Sequence, residues 1–320
     1  MRFDSMLEPT LDGVGDAVDR AVASGRDGGW VIETAHDPFL LLATAAAKHA
    51  PLGLGTAVAV AFARTPMLLA VLGNDLQQAS GGKFILGLGS QVRPHIERRF
   101  SMPWGKPVGR MREMIRAIHA IWDSWENDTE LDFRGEYYTH TLMTPVFNPG
   151  SNEFGRPPIY LGALGPAMTE LAGEIADGIV IHRFMTERFL REVTLPSIKR
   201  GLEKRYRPLT VPFQVVYPPF VAAADSDEEM SEQIADLRSH IAFYASTPGY
   251  RTLLDLHGWS EIGEQLSILS RQGKWDRMPA LVTDDMVEHF AVITQPGRVE
   301  EDLVKRFDGA VDHMILYPPL

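Results

Sequence analysis

The side chains that could move a proton or hold a ligand stand just behind short apolar runs. Glu8 follows RFDSML, His36 comes shortly after WVIE, Ser90 and Gln91 follow FILGLG, and His182 follows GIVI with Arg183 beside it. An imidazole in such a place can exchange a proton near neutral pH, whereas the amide of Gln91 cannot trade protons as a carboxylic acid does. His95 and Glu97 lie a few residues further along the loop that begins at Ser90. The turn Gly162, Ala163, Leu164, Gly165, Pro166 opens a helical pattern, and free N–H groups at a helix N-terminus attract phosphate. A plain strand-to-helix turn would read the same way. Capping or a surface ion pair equally accounts for Glu8, and a satisfied imidazole for His182.

The apolar runs read as buried parallel strands: Arg2 to Leu7, Trp30 to Glu33, Leu54 to Phe62, Phe84 to Leu88, Pro158 to Gly162, Gly178 to His182, Val211 to Ala223 interrupted by Pro218 and Pro219, and Val311 to Tyr317. Helical spacing fills the intervals at Leu11 to Ala23, from Pro66 to the stop at Gly81, at Gly109 to Trp125, Ala167 to Ile175, Glu187 to Arg205, Asp225 to Tyr244 and Pro296 to Phe307. Glu130 to Thr141 alternates like a hairpin turning near Gly135, and Thr247 to Val292 shows helical pattern without a strand. Strands alternating with helices predict an α/β fold, a (β/α)8 barrel, in one domain spanning 1–320 with a helical excursion at about 247–292. Leu320 comes three residues after Tyr317, so the eighth helix is expected to be absent. Barrel active sites lie at the carboxyl ends of the strands. That geometry selects Glu8, His36, Thr56 to Val58, Ser90, Gln91, Ala163 to Pro166 and His182.

Composition narrows the chemistry. The chain has no cysteine, which excludes disulfides, thiolate zinc sites, thiol nucleophiles and iron–sulfur clusters. Redox chemistry therefore needs a bound organic cofactor, and no metal site is expected. The net charge is −11 with scattered Lys and Arg, which argues against nucleic acid as partner. No run approaches the ~18 to 20 apolar residues of a membrane helix, and the N-terminus lacks a signal-peptide pattern. The expectation is a cytoplasmic protein that takes a small-molecule substrate.

Four stretches carry a resemblance: ETAHDPF after the second strand, LGTAVAVAFARTPM through the third, FILGLGSQVRPHIERRF through the fourth and IYLGALGPAM after the fifth. Together, in this order, they resemble the bacterial luciferase-like monooxygenase superfamily, and most of all its branch of oxidoreductases dependent on coenzyme F420. The likeness covers nearly the whole chain and is weakest between Thr247 and Val292.

The resemblance implies a bulge at the end of the third strand after Thr56, with a non-proline cis peptide between Ala57 and Val58 behind a deazaflavin ring that Gly89, Ser90, Gln91 and Ala163 help to frame. It implies that the turn through Leu164, Gly165 and Pro166 lies near the ribityl phosphate side chain. His36 matches a histidine placed beside the reactive ring, as proton donor or ring anchor, and Glu8 matches an acidic residue of some relatives. Sugar-phosphate dehydrogenases of the family carry a glutamate acid where this chain has Gln91, so either His36, His95 or Glu97 supplies the acid or the chain does different chemistry. The same enzymes carry a tryptophan where Phe39 and Leu40 stand, which argues against a sugar-phosphate substrate. Hydride transfer to or from a small organic molecule is implied. FMN-dependent monooxygenation and a non-catalytic, cofactor-binding relative are the alternatives, and a homodimer through the helices beside the second and third strands is expected.

Overall fold

The computed structural model describes residues 1–317. Eight parallel strands close into a barrel: β1 (Arg2–Met6), β2 (Gly28–Val31), β3 (Gly53–Thr56, resumed at Ala59–Val60), β4 (Phe84–Gly89), β5 (Ile159–Ala163), β6 (Gly178–Ile181), β7 (Gln214–Tyr217) and β8 (His313–Leu316). Each strand pairs with its sequence neighbours, and β1 pairs with β8 through Arg2 to Ser5 against His313 to Leu316. That pairing closes the ring.

Helices wrap the outside because one face of each is apolar. In α1 (Val14–Ala23) the buried residues are Val14, Ala17, Val18 and Ala21, the spacing of one helical face. In α2 (Pro38–Ala46) the Asp37 carboxylate accepts the Phe39 and Leu40 N–H groups, and in α3 (Pro66–Ala79) the Thr65 hydroxyl accepts that of Leu68. Both caps precede a proline at the first helical position, where its missing N–H costs nothing. The helix α4 (Pro107–Asn127) buries Met111, Met114, Ile115, Ile118, Ile121 and Trp122, and α5 (Pro166–Ile175) follows β5 directly.

The barrel interior is packed rather than open. Met6, Trp30, Tyr160, Val180, Val216 and Ile315 meet there, with Ile32, Ala57, Val58, Ile85 and Tyr317 packed against them. Asp4, 1% exposed, accepts hydrogen bonds from the Trp30 indole at 2.7 Å and pairs with His313 Nδ1 at 2.9 Å. One buried carboxylate thereby ties β1 to β2 and β8.

Several expectations change. The third strand does not run to Phe62: it bends after Thr56, resumes for two residues and ends in a 3-10 turn at Ala61–Ala63. The run Val211 to Ala223 is two elements, because Pro218 and Pro219 lack the N–H a ladder needs. Its second part, Phe220–Ala223, leaves the barrel and pairs in parallel with Ala291–Thr294. A strand therefore does end the helical excursion, and its partner lies 71 residues upstream by the Phe220–Ala291 pairing. Glu187 to Arg205 is not one regular helix: a π turn at Leu190–Thr194 separates Glu187–Phe189 from Leu195–Leu202. The helix expected between the second and third strands, given no limits in the sequence, is the short α2. The hairpin is present as Phe133–Arg134 against Thr139–His140, its turn held by the Glu113 carboxylate, which accepts the N–H groups of Glu136, Tyr137 and Tyr138. The expectation about an eighth helix falls on 318–320, outside the described residues. Among the described residues, no helix is long and apolar enough to cross a membrane.

Candidate active site

A cleft of about 570 Å³ opens at the carboxyl ends of the strands. Its floor is built at β3. The peptide between Ala57 and Val58 is cis, at the position the resemblance implied. The Val58 side chain lies on two glycines: a Cβ on Gly89 would come within 2.5 Å of Val58 Cγ2, and one on Gly162 within 3.1 Å of both Val58 methyl groups. Glycine at 89 lets Val58 settle without displacement, glycine at 162 spares it a tight contact, and with Ala163 the result is a smooth wall of small groups.

Glu33 supports this wall from β2. Its carboxylate, 6% exposed, accepts the Val60 N–H at 2.7 Å and pairs with Arg64 at 2.8 Å, while Arg64 also reaches Asp37 at 2.6 Å. Burial works against the Arg64 charge, but its hydrogen bonds to Glu33 and Asp37 prevail and hold its pKa above the usual value. The backbone just beyond the bulge is thus pinned by a buried ion pair. In the sequence Glu33 reads only as the last residue of a strand, and its one signal is a carboxylate closing an otherwise apolar run.

The far wall comes from β6 and from the helical excursion. The His182 Nδ1 accepts the Phe184 N–H at 3.0 Å, which assigns the proton of the neutral ring to Nε2. That nitrogen lies 3.3 Å from the Tyr250 hydroxyl. Burial, and then the charge of Arg183, lower the His182 pKa to about 4. Burial, and then Tyr244, raise that of Tyr250 to about 12. Both groups are neutral around pH 7: the imidazole donates to the phenol oxygen, and the phenol proton is free to point into the cleft. Tyr244 packs edge-on against His182 with ring centroids 4.7 Å apart. Arg183 lies 4.2 Å from the Phe220 ring centroid and 4.5 Å from that of Tyr317.

The residues singled out in the sequence divide. Ala57, Val58, Gly89, Ser90, Gln91, Ala163, Leu164 and His182 line the cleft together. Gln91 has φ +57° and its side-chain amide oxygen Oε1 turns back to accept the Val92 N–H at 3.0 Å. Thr56 stands beneath the wall, fully buried, donating to the Gly87 carbonyl at 2.6 Å. Gly165 and Pro166 form the N-terminus of α5, with no side-chain cap on its free N–H groups. Glu8, His36, His95 and Glu97 lie outside the cleft. Glu8 is exposed and pairs with Arg20 at 3.4 Å. His36 is exposed on the loop before α2 and has no hydrogen-bond partner among the described residues. His95 and Glu97 flank Ile96 on a π turn; burial of Ile96 turns both outward, and Glu97 pairs with Arg93 at 2.9 Å.

The family model for luciferase-like monooxygenase matches residues 3–313, and the chain belongs to that family. An uncharacterised protein of Mycobacterium tuberculosis is 44% identical over 98% of this chain and 92% of its own. The 5,10-methylenetetrahydromethanopterin reductase of Archaeoglobus fulgidus is 27% identical over 93% of this chain and 86% of its own. Among solved structures, the coenzyme F420 dependent tetrahydromethanopterin reductase from Methanopyrus kandleri superposes with a TM-score of 0.79 at 20% identity, covering 99% of this chain and 93% of that one. That likeness supports the fold.

Proposed function

We propose that this chain is a coenzyme F420-dependent oxidoreductase that passes hydride between the deazaflavin and a small organic substrate. The single observation that carries the reading is the smooth wall formed by Val58 over Gly89 and Gly162, a surface against which a planar ring lies flat. The reductase of Archaeoglobus fulgidus, similar along most of its length, supports the same branch of the family. Bound there, the deazaflavin supplies a hydride donor or acceptor that reacts poorly with oxygen.

The chain's own residues do the rest. Ala57, Val58, Gly89 and Ala163 would back the ring, Ser90 and Gln91 would edge it, and the uncapped N–H groups beyond Gly165 and Pro166 would receive the phosphate of the side chain. Tyr250, aligned by neutral His182, would donate a hydrogen bond to a substrate oxygen or nitrogen on which negative charge develops. His36, His95, Glu97 and Glu8 stay outside this step. Leu40, Leu68 and Val71, exposed on α2 and α3, are the face on which a homodimer would form.

Anaerobic oxidation of reduced deazaflavin by a panel of ketones and imines, followed by absorbance, tests the reading. Substrate-dependent turnover is expected. Oxygen consumption with FMN, and none of the deazaflavin reaction, would establish monooxygenation instead; cofactor binding without turnover on any substrate would indicate a non-catalytic relative.

A further inference from the structure

Arg183 is a cation without a counter-ion. Among the described residues no carboxylate lies within salt-bridge distance of it, and none of its three guanidinium nitrogens has a hydrogen-bond partner. The Nε atom is sealed from solvent and unpaired, whereas the terminal nitrogens are not enclosed. A half-buried guanidinium with a sealed, unpaired Nε is unusual in a chain with 42 acidic and 31 basic residues, since sealed polar atoms ordinarily find a partner.

Its surroundings explain both why it stays and what it waits for. The guanidinium lies over Phe220 at 4.2 Å and over Tyr317 at 4.5 Å. The two rings hold the guanidinium without accepting its N–H groups as a carboxylate would, so its terminal nitrogens stay unpaired and available for a planar two-oxygen acceptor. Among the described residues Arg183 is the only Lys or Arg lining the cleft, and the acid there, Glu33, is already engaged by Arg64 and the Val60 N–H. The flanking rings follow β7 and β8, so the guanidinium leans away from the α5 terminus that follows β5. Around it the wall is apolar and aromatic, with Val180, Tyr244, Tyr250 and Tyr317.

We infer that the substrate is a monoanionic carboxylate with an apolar body, and that Arg183 binds its carboxylate edge-on. This rests on the oxidoreductase reading for the identity of the reaction, but the binding claim stands on Arg183 alone. One guanidinium matches one carboxylate; a phosphate dianion would leave a charge unmet. The carboxylate fixes one end of the molecule while Tyr250, from the same wall, reaches its reacting end.

The test uses the full chain saturated with deazaflavin, titrated calorimetrically with phenylacetate and with its uncharged counterpart phenylacetamide. A charge-assisted hydrogen-bond pair predicts about ten-fold or greater preference for phenylacetate. Arg183→Gln should abolish that preference, Arg183→Lys should retain part of it, and thermal melting of both variants should show a folded protein. Deazaflavin affinity, read by fluorescence quenching, should stay within about two-fold of wild type, since less than ~0.5 kcal/mol is then involved. Equal binding of the two probes, or binding of neither, overturns the proposal. So does loss of deazaflavin affinity in Arg183→Gln with the probe preference intact, which would assign the guanidinium to the acidic tail of the cofactor. If the wild-type chain binds no deazaflavin, the oxidoreductase reading fails separately, and the same probe titration on the protein alone still decides the role of Arg183.

Discussion

The Nε2 atom of His182 stands 3.3 Å from the Tyr250 hydroxyl, while its Nδ1 takes the Phe184 N–H. The two bonds orient each other: a backbone donor fixes the tautomer, and the tautomer fixes the direction in which the phenol proton is offered. Replacing Tyr250 by Phe removes that proton and little volume. Turnover should fall about 100-fold, the scale of a lost proton donor, with deazaflavin affinity unchanged in a quenching titration. A fall in affinity with turnover per bound cofactor intact would mean that Tyr250 only shapes the wall.

Acid should weaken the fold before it protonates most carboxylates. Burial, and then Arg183, hold the His182 pKa at about 4, and burial, and then Arg207, hold that of His119 at about 3, both below the ordinary 6.5. Between those values and about 6.5 the unfolded chain binds protons that the folded chain refuses, so stability falls as pH drops through this window, by on the order of 1.4 kcal/mol per pH unit for each histidine. Thermal melting from pH 7 to pH 4.5 should show the decline, and His119→Gln should make it shallower. An unchanged slope in that variant would remove His119 from the account.

Gly89 tests the wall itself. A Cβ there would stand 2.5 Å from Val58 Cγ2, so Gly89→Ala must push Val58 into the space above it. Deazaflavin affinity should fall about ten-fold or more, a modest steric cost of ~1.4 kcal/mol, and a second change, Val58→Ala, should restore part of it. Restoration distinguishes displacement of Val58 from general damage to β4.

His36 is the residue that the family resemblance puts beside the reactive ring. Its exposed position on the loop before α2 predicts that His36→Ala keeps turnover within about three-fold of wild type, a change below ~1 kcal/mol. Loss of turnover with normal folding would show that this loop closes over the substrate.

The barrel was legible because parallel strands buried on both faces announce themselves as unbroken apolar runs, and β1, β4, β5, β6 and β8 fall within a residue or two of their expected limits. The bulge site was legible through the resemblance, and the structure has it at Ala57 and Val58. What escaped depended on contacts distant in sequence. The run AVIT is β-branched but too short to stand out from the helical pattern before it, and it becomes a strand by pairing with Phe220–Ala223, which leaves the barrel to meet it. Tyr250 belongs to the helical excursion, where the resemblance was weakest, and becomes part of the site only by folding back to His182, 68 residues upstream. His95 and Glu97 were chosen by residue type, but the apolar Ile96 between them decides which way that turn faces.

The central claim is that the wall of Val58, Gly89 and Gly162 receives a deazaflavin. Its most direct test is a side-by-side fluorescence titration of the purified chain with deazaflavin and with FMN, repeated on Gly162→Ala. The account predicts micromolar binding of the deazaflavin, weaker binding of FMN, and loss of deazaflavin affinity in the variant. Micromolar binding of FMN with none of the deazaflavin would contradict it.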